Sequence, residues 1–196
     1  DTNTLIYSWT TGQPFPTQIA TVNGRVNALE NRVTQLYIAG QFTSATNGNG
    51  TVSNCNNIVW LQSNILNPLA EGFDGYVNQL RVIDWEVYAV GFCDNINDST
   101  KGSCAQKWSI DHWESLISDS SDIDLSMDSA QIFDIVNYDD TLVFGSNFRI
   151  SSFSDMWNID AGRALGVIHA DKSVTSKSFI NGLVNSLTIN GNGLLE

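Results

Sequence analysis

The sequence predicts an all-β protein made of β-propeller blades, four-stranded antiparallel sheets that recur every 51 to 55 residues or so. Three observations carry this expectation. Apolar residues arrive in short bursts of Val, Ile, Leu, Tyr, Phe and Trp, types that suit a pleated, half-buried surface. Between the bursts, Asn, Gly, Ser, Asp and Thr fill the polar positions; these residues tolerate positive φ or bond their own backbone in turns. The chain is also internally repetitive, and a period near fifty residues is that of one blade.

The first strand of each unit carries the clearest copy. Gly24-Arg25-Val26-Asn27-Ala28-Leu29 recurs as Gly75-Tyr76-Val77-Asn78-Gln79-Leu80 and as Gly182-Leu183-Val184-Asn185-Ser186-Leu187, with a degenerate copy at Ala130-Gln131-Ile132-Phe133-Asp134-Ile135. Val26, Val77, Ile132 and Val184 are thus spaced by 51, 55 and 52 residues. The second strand follows after a tight turn. Leu36-Tyr37-Ile38-Ala39-Gly40-Gln41-Phe42 matches Val87-Tyr88-Ala89-Val90-Gly91-Phe92 and, loosely, Leu142-Val143-Phe144-Gly145-Ser146-Asn147-Phe148, with the same spacings of 51 and 55. A longer loop leads to a third strand, Asn57-Ile58-Val59-Trp60, whose counterparts are Ile6-Tyr7-Ser8-Trp9 and, more faintly, Ala105-Gln106-Lys107-Trp108. An edge segment such as Asn67-Pro68-Leu69 completes the unit. Such a sheet has two half-apolar faces and cannot bury both alone, so each blade needs a neighbour.

On this register the chain is one repeat array: a partial blade over 1–23, blades over 24–74, 75–129 and 130–181, and a partial blade over 182–196. It starts on a third strand and reaches Leu194-Leu195-Glu196 where a second strand would begin. The array is therefore expected to be a segment of a larger propeller, with a small four-bladed ring as the alternative. The stretch from Ser109 to Asp128 is less regular, and Ser120-Ser121-Asp122 there suits either a helical cap or a surface loop.

Composition narrows the function classes. In 196 residues, 9 Lys and Arg stand against 21 Asp and Glu, a net charge of -12 that repels phosphate backbones and makes nucleic acid a poor partner. Mean hydropathy is -0.10 with 42% apolar residues, which excludes disorder. No apolar run approaches the roughly 18 residues of a membrane span. No basic n-region with an apolar h-region opens the chain, so a leader was either removed before Asp1 or never present.

The cysteines and sequons point to an oxidising compartment. Cys55 and Cys104 share one station, three residues before Ile58 and Lys107, whereas Cys93 directly follows Phe92. Cys93 and Cys104 bracket one inter-strand loop, and a disulfide between them closes about 12 residues and contributes roughly 3 kcal/mol in the chain-entropy picture. Three unrelated reduced core thiols are the alternative; no zinc-site spacing competes. The corresponding loops hold the two N-glycosylation sequons, Asn49-Gly50-Thr51 and Asn97-Asp98-Ser99. The expected location is extracellular or at the cell surface.

These residues together resemble a known family. Leu36-Tyr37-Ile38-Ala39-Gly40-Gln41-Phe42-Thr43, then Asn57-Ile58-Val59-Trp60, then Leu69-Ala70-Glu71-Gly72-Phe73-Asp74-Gly75-Tyr76-Val77-Asn78 look like the repeats of the fungal bud-site-selection landmark proteins, and kelch-like repeats are similar. The resemblance implies a large N-glycosylated cell-surface protein with an adhesive, scaffolding or marking role and no enzymatic activity. This chain departs from the pattern in the degenerate copy at Ala130, and it contains no anchor.

Catalytic chemistry is sparse. His112 and His169 lie in unlike contexts without ligand spacing, and no nucleophile elbow, phosphate loop or dinucleotide fingerprint occurs. Asp119, Asp122, Asp124 and Asp128 form the densest acidic run, a weak calcium candidate that lacks a full Asp-x-Asp-x-Asp-Gly loop. Asp139-Asp140 marks a hairpin turn. No cofactor is implied. Trp9, Trp60 and Trp108 share a third-strand station and are expected to pack between blades, which leaves Trp85, Trp113 and Trp157 as ligand-binding aromatics. The leading expectation is a non-enzymatic glycoprotein module that binds a protein partner or self-associates. A sugar-binding propeller comes second, and a propeller glycoside hydrolase with two axial carboxylates comes last.

Overall fold

The computed structural model describes residues 3–73, 75–92, 104–117, 123–124, 130–150, 163–180, 184–190 and 195. Among them there is no helix, and every ladder is antiparallel. Strands β1 (Thr4–Ser8) and β2 (Thr17–Val22) precede β3 (Arg25–Arg32) and β4 (Gln35–Gln41). The hairpin β5 (Ser44–Asn47) and β6 (Gly50–Ser53) follows, then β7 (Ile58–Gln62) and β8 (Ile65–Pro68). Next come β9 (Val77–Ile83), β10 (Glu86–Gly91), β11 (Ala105–Ser109) and β12 (His112–Ser115). The remainder is β13 (Ile123–Asp124), β14 (Ile132–Tyr138), β15 (Thr141–Ser146), β16 (Arg149–Ile150), β17 (Arg163–Ile168) and β18 (Val174–Ile180).

These strands make four four-stranded sheets. Three are meanders within one repeat each: β3-β4-β7-β8, β9-β10-β11-β12 and β14-β15-β17-β18. The fourth, β1-β2-β5-β6, is assembled across repeats. The sequence places only a long loop between the second and third strands of the first full unit. That loop instead folds back as the β5-β6 hairpin and pairs Val22 with Ala45 and Thr21 with Thr46 on the preceding sheet. Asn23 fixes the junction: its Oδ1 accepts from the Thr43 and Ser44 amides at 2.9 and 2.8 Å, and its Nδ2 donates to the Thr43 hydroxyl. Two short strands β13 and β16 pair with each other separately.

The cores lie between sheets. Ile6, Ala20 and Val22 pack with Ile38, Val59, Leu61 and Leu66 between the first two sheets. Ala28, Ala39, Ile58 and Leu69 meet Val77, Leu80, Val87 and Ala89 between the second and third. Tyr88, Val90 and Ala105 meet Ile132, Ile135 and Phe144 between the third and fourth. On the far side of the last sheet, Val136, Val143, Leu165 and Val167 pack with Val184 and Leu187. Equivalent residues of the repeat thus stand in equivalent interfaces: Val77 and Ile132 are 0% exposed, Val184 is 9% exposed, and Val26 packs against the first of these cores. Each buried Leu, Ile or Phe contributes about 1.5–3 kcal/mol, so the stacking of neighbours carries the stability of each sheet.

One device recurs in every first strand. The register slips between Val26 and Ala28, between Val77 and Gln79, and between Ile132 and Asp134, leaving Asn27, Asn78 and Phe133 as bulged extra residues. The bulge carries the amide to the next unit. Asn27 Nδ2 donates to the Val77 carbonyl at 2.7 Å, and Asn78 Nδ2 donates to the Ile132 carbonyl at 3.0 Å. The glycine of the Gly-x-Phe pattern follows from the same geometry. A Cβ on Gly40 would collide with the Arg25 carbonyl and one on Gly91 with the Tyr76 carbonyl, so glycine faces these two bulges, whereas Ser146 holds the same place opposite Ile132 in the degenerate third copy.

Trp9 corrects an expectation. Ile6, rather than Tyr7, faces the next sheet, so β1 runs one residue out of step with the third strands it was aligned to. Tyr7 and Trp9 are consequently 51% and 71% exposed. Trp60 and Trp108 do pack at the edge of the core between the second and third sheets.

Candidate functional surface

The two tight turns of each sheet fall at one end, because the first and third strands run one way and the second and fourth the other. Their backbones favour Gly or Asn, yet several carry bulky apolar residues. Val33 has φ 58°, Trp85 φ 70° and Ile110 φ 49°, all in the left-handed region that costs a β-branched or aromatic side chain most. They stand 69%, 68% and 95% exposed. Asp84 and Trp85 both have positive φ, as do Asp139 and Asp140, the pattern of a type I′ hairpin turn.

A cleft of about 460 Å³ opens between the second and third sheets at this end, joining Arg32 and Gln35 to Ile110 and Asp111. Its wall is aromatic: Tyr37 stacks on Trp60 with centroids 6.4 Å apart, and Trp108 stands beside them. Tyr37 Oη donates to Gln35 Oε1 at 2.9 Å. At the rim, Asp111 pairs with His112 at 2.9 Å.

Trp113 sits behind this wall. Its ring meets Trp108 edge-on at 5.3 Å and Phe73 at 6.3 Å, and its Nε1 donates to the Leu69 carbonyl at 3.3 Å. Of the two ligand-binding candidates among the described residues, Trp85 is the exposed one; Trp157 lies outside the described residues. Nothing in the sequence distinguished the Trp60 and Trp108 station as half-open; that depends on the gap between adjacent sheets.

Asn49 occupies the tip of the β5-β6 hairpin, exposed, with Thr51 exposed two residues on. Its Nδ2 donates to the Asn64 carbonyl at 2.7 Å, which places this sequon beside the β7-β8 turn and therefore at the turn end. Asn97 lies outside the described residues. Cys55 is a free, fully buried thiol, and burial pushes it up to about 11, so at neutral pH it is a thiol and not a nucleophilic thiolate. Cys104 is buried and disulfide-bonded, while Cys93 lies outside the described residues.

The acidic run is only partly visible. Asp124 belongs to β13 and pairs with Arg149 along the backbone, whereas Asp119, Asp122 and Asp128 lie outside the described residues. The same holds for Ser120, Ser121 and Asp122 as a helical cap. Among the described residues no three His, Cys, Asp or Glu side chains group as metal ligands, and no helix is long and apolar enough to cross a membrane. Elsewhere, burial and then the Glu86 carboxylate push the Tyr88 phenol up to about 12, and Lys107 holds Glu86 at 3.1 Å. Lys172 holds the Glu114 carboxyl below its ordinary value by a hydrogen bond and its charge, at 3.1 Å.

No known family model, curated protein or solved structure matches the chain.

Proposed function

We propose that the chain is a β-propeller-type repeat module of an extracellular or cell-surface glycoprotein, non-enzymatic, whose turn end is a contact surface for assembly or adhesion. One observation carries the reading. Val33, Trp85 and Ile110 hold large apolar side chains in solvent on backbones that glycine or asparagine would adopt at lower cost, which is the pattern expected where a surface is selected for contact. The exposed Asn49 sequon and the bonded state of Cys104 support an oxidising, glycosylating compartment. The resemblance of the repeats to the fungal landmark proteins points the same way. Expression through a eukaryotic secretory route followed by intact mass with and without N-glycosidase tests the compartment: glycan on Asn49 is expected, and a secreted chain bare of sugar would sink it. Binding of tetramerised chain to cell surfaces, lost on Trp85→Ser with Ile110→Ser, tests the contact surface.

A sugar-binding role is the second reading, favoured by the half-buried Trp60 and Trp108 that line the cleft over buried Tyr37, since accessible aromatic faces stack on saccharide rings. A glycan array probed with the wild type and with Trp60→Ala, Trp85→Ala, Trp113→Ala and Trp157→Ala variants separates the two; silence of the wild type excludes it.

A further inference from the structure

An asparagine followed by glycine is open to imide formation, because glycine presents a main-chain nitrogen that no side chain crowds. Such pairs occur six times in the chain, and in three of them both residues are described: Asn23-Gly24, Asn47-Gly48 and Asn49-Gly50. The fold treats the three differently.

Asn23 is held away from its glycine. Its Oδ1 accepts from the amides of Thr43 and Ser44, 20 and 21 residues along the chain, and a Cβ on Gly24 would meet the Gln41 carbonyl. Asn49 is also drawn outwards, since its Nδ2 donates to the Asn64 carbonyl, 15 residues away. The nitrogen it would need belongs to Gly50, which lies in β6 in register with Asn47, so using it breaks the closing pair of the β5-β6 hairpin.

Asn47, of the three, bends over its own backbone. Its Oδ1 accepts from the Asn49 amide at 2.9 Å, an Asx turn that lays the side-chain carbonyl along the segment from Asn47 to Asn49. Gly48 lies in no strand, is exposed, and has nothing within 4 Å of the place a Cβ would take. Three successive residues thus supply the carbonyl to be attacked, the attacking nitrogen and a donor to the carbonyl oxygen.

We propose that Asn47 is the site of spontaneous deamidation in the folded chain. The Gly48 nitrogen gives its proton to solvent base and bonds to Asn47 Cγ, while the Asn49 amide stabilises the charge developing on Oδ1. The bond from Cγ to Nδ2 then breaks, and Nδ2 takes a proton from water and leaves as ammonia, so that a succinimide remains. Water opening the ring at Cγ gives aspartate, and at the main-chain carbonyl gives isoaspartate. One water is consumed, one ammonia is released, and nothing is oxidised or reduced.

The change alters the turn end. Before it, Asn47 Nδ2 donates to the Asn64 carbonyl at 3.0 Å, beside the Asn49 donor at 2.7 Å. Afterwards a carboxylate replaces that donor, and isoaspartate also lengthens the backbone at the pair with Gly50. Deamidation therefore loosens the β5-β6 hairpin from the β7-β8 turn. The inference rests on the hairpin alone and is independent of the contact reading above.

A time course on the folded full chain, made without glycan on Asn49 and kept at mildly alkaline pH, tests it, with peptide fragmentation placing each conversion. Asn47 is expected to react at least about tenfold faster than Asn49 or Asn23, the equivalent of roughly 1.4 kcal/mol of barrier, with isoaspartate among the products. Gly48→Ala, which the open space admits, should slow Asn47 at least about tenfold and leave thermal unfolding unchanged. In urea the three pairs should converge on one rate. Equal rates in the folded chain, a product without isoaspartate, or a Gly48→Ala variant that reacts as fast as wild type would each overturn the proposal. So would an advantage of Asn47 that persists in urea, because the cause would then be sequence and not fold.

Discussion

Arg81 and Asp134 form a two-pronged ion pair between successive sheets, with Arg81 Nε 3.0 Å from Oδ1 and Nη2 2.6 Å from Oδ2. Asp134 is fully buried and also accepts from the Leu187 amide at 2.9 Å and the Ser186 hydroxyl at 3.3 Å, so one carboxylate joins three repeats. It stands where the degenerate third copy has Phe133 in place of the bulged asparagine. There the aspartate supplies the link to the next unit that Asn27 and Asn78 supply in theirs. Asp134→Ala strands a partly buried guanidinium and an amide, and is expected to cost about 3–5 kcal/mol, with Asp134→Asn losing less. Because the two residues act as one unit, Arg81→Ala combined with Asp134→Ala should cost less than the sum of the single changes in urea denaturation. Additive losses would show that the pair is not coupled.

The Gly-x-Phe glycines make a second test. Gly91→Ala drives a methyl into the Tyr76 carbonyl opposite the bulge, and overpacking of this kind costs about 1–3 kcal/mol. Gly48→Ala, on the β5-β6 turn with open space around it, should stay within about 0.5 kcal/mol of wild type. Equal urea midpoints for the two variants would show that the bulge does not require glycine.

Much of this architecture is written in the sequence, since Val-Asn-x-Leu and Leu-Tyr-x-x-Gly-x-Phe carry both the strand alternation and the bulge. Three features escape it for distinct physical reasons. Ser44–Asn47 and Gly50–Ser53 have little apolar alternation; their pairing is held by backbone bonds to β2, and the Asn-Gly pairs between them were the available signal. Trp9 shares the Trp60 station, but a one-residue change of parity in β1 reverses its face. Trp113 carries no sequence signal of its constraint because the Leu69 carbonyl that receives its N–H lies just after β8, in the preceding unit.

Alkaline conditions should weaken the fold through Cys55. Its ordinary value of 9.0 is raised to about 11 by burial, so the folded chain holds the thiol proton more tightly than the unfolded chain does. The resulting stability is complete below pH 9.0 and is lost as pH climbs towards about 11. The urea midpoint should fall across this window and fall less in Cys55→Ala, whose loss at neutral pH comes from the cavity instead. The buried thiol should also resist iodoacetamide until urea unfolds the chain; rapid native-state alkylation would contradict its burial.

Cys104 offers a direct covalent test. With Cys55 free, the sequence leaves Cys93 as the partner, and we expect a proteolytic digest without reductant to yield one cross-linked species containing both residues. Reduction should split it and lower stability by roughly 3 kcal/mol for a loop of about 12 residues. A Cys104 found joined to a second molecule would refute the intrachain pairing.

The turn end should show a trade between stability and contact. Val33 places a β-branched side chain at φ 58° with 69% of its surface in solvent, so the strain brings no compensating burial. Glycine adopts this backbone freely, and Val33→Gly is expected to relieve about 1 kcal/mol of left-handed strain, less what the unfolded chain gains in freedom. Asn at the same position keeps a side chain and a tolerated φ, so Val33→Asn should stabilise without that entropic offset. Thermal unfolding checks the sign for both, and the surface-binding assay checks the cost. If Val33, Trp85 and Ile110 form one contact surface, the stabilised variants bind cells more weakly than wild type, whereas a gain in stability with binding unchanged would remove Val33 from that surface.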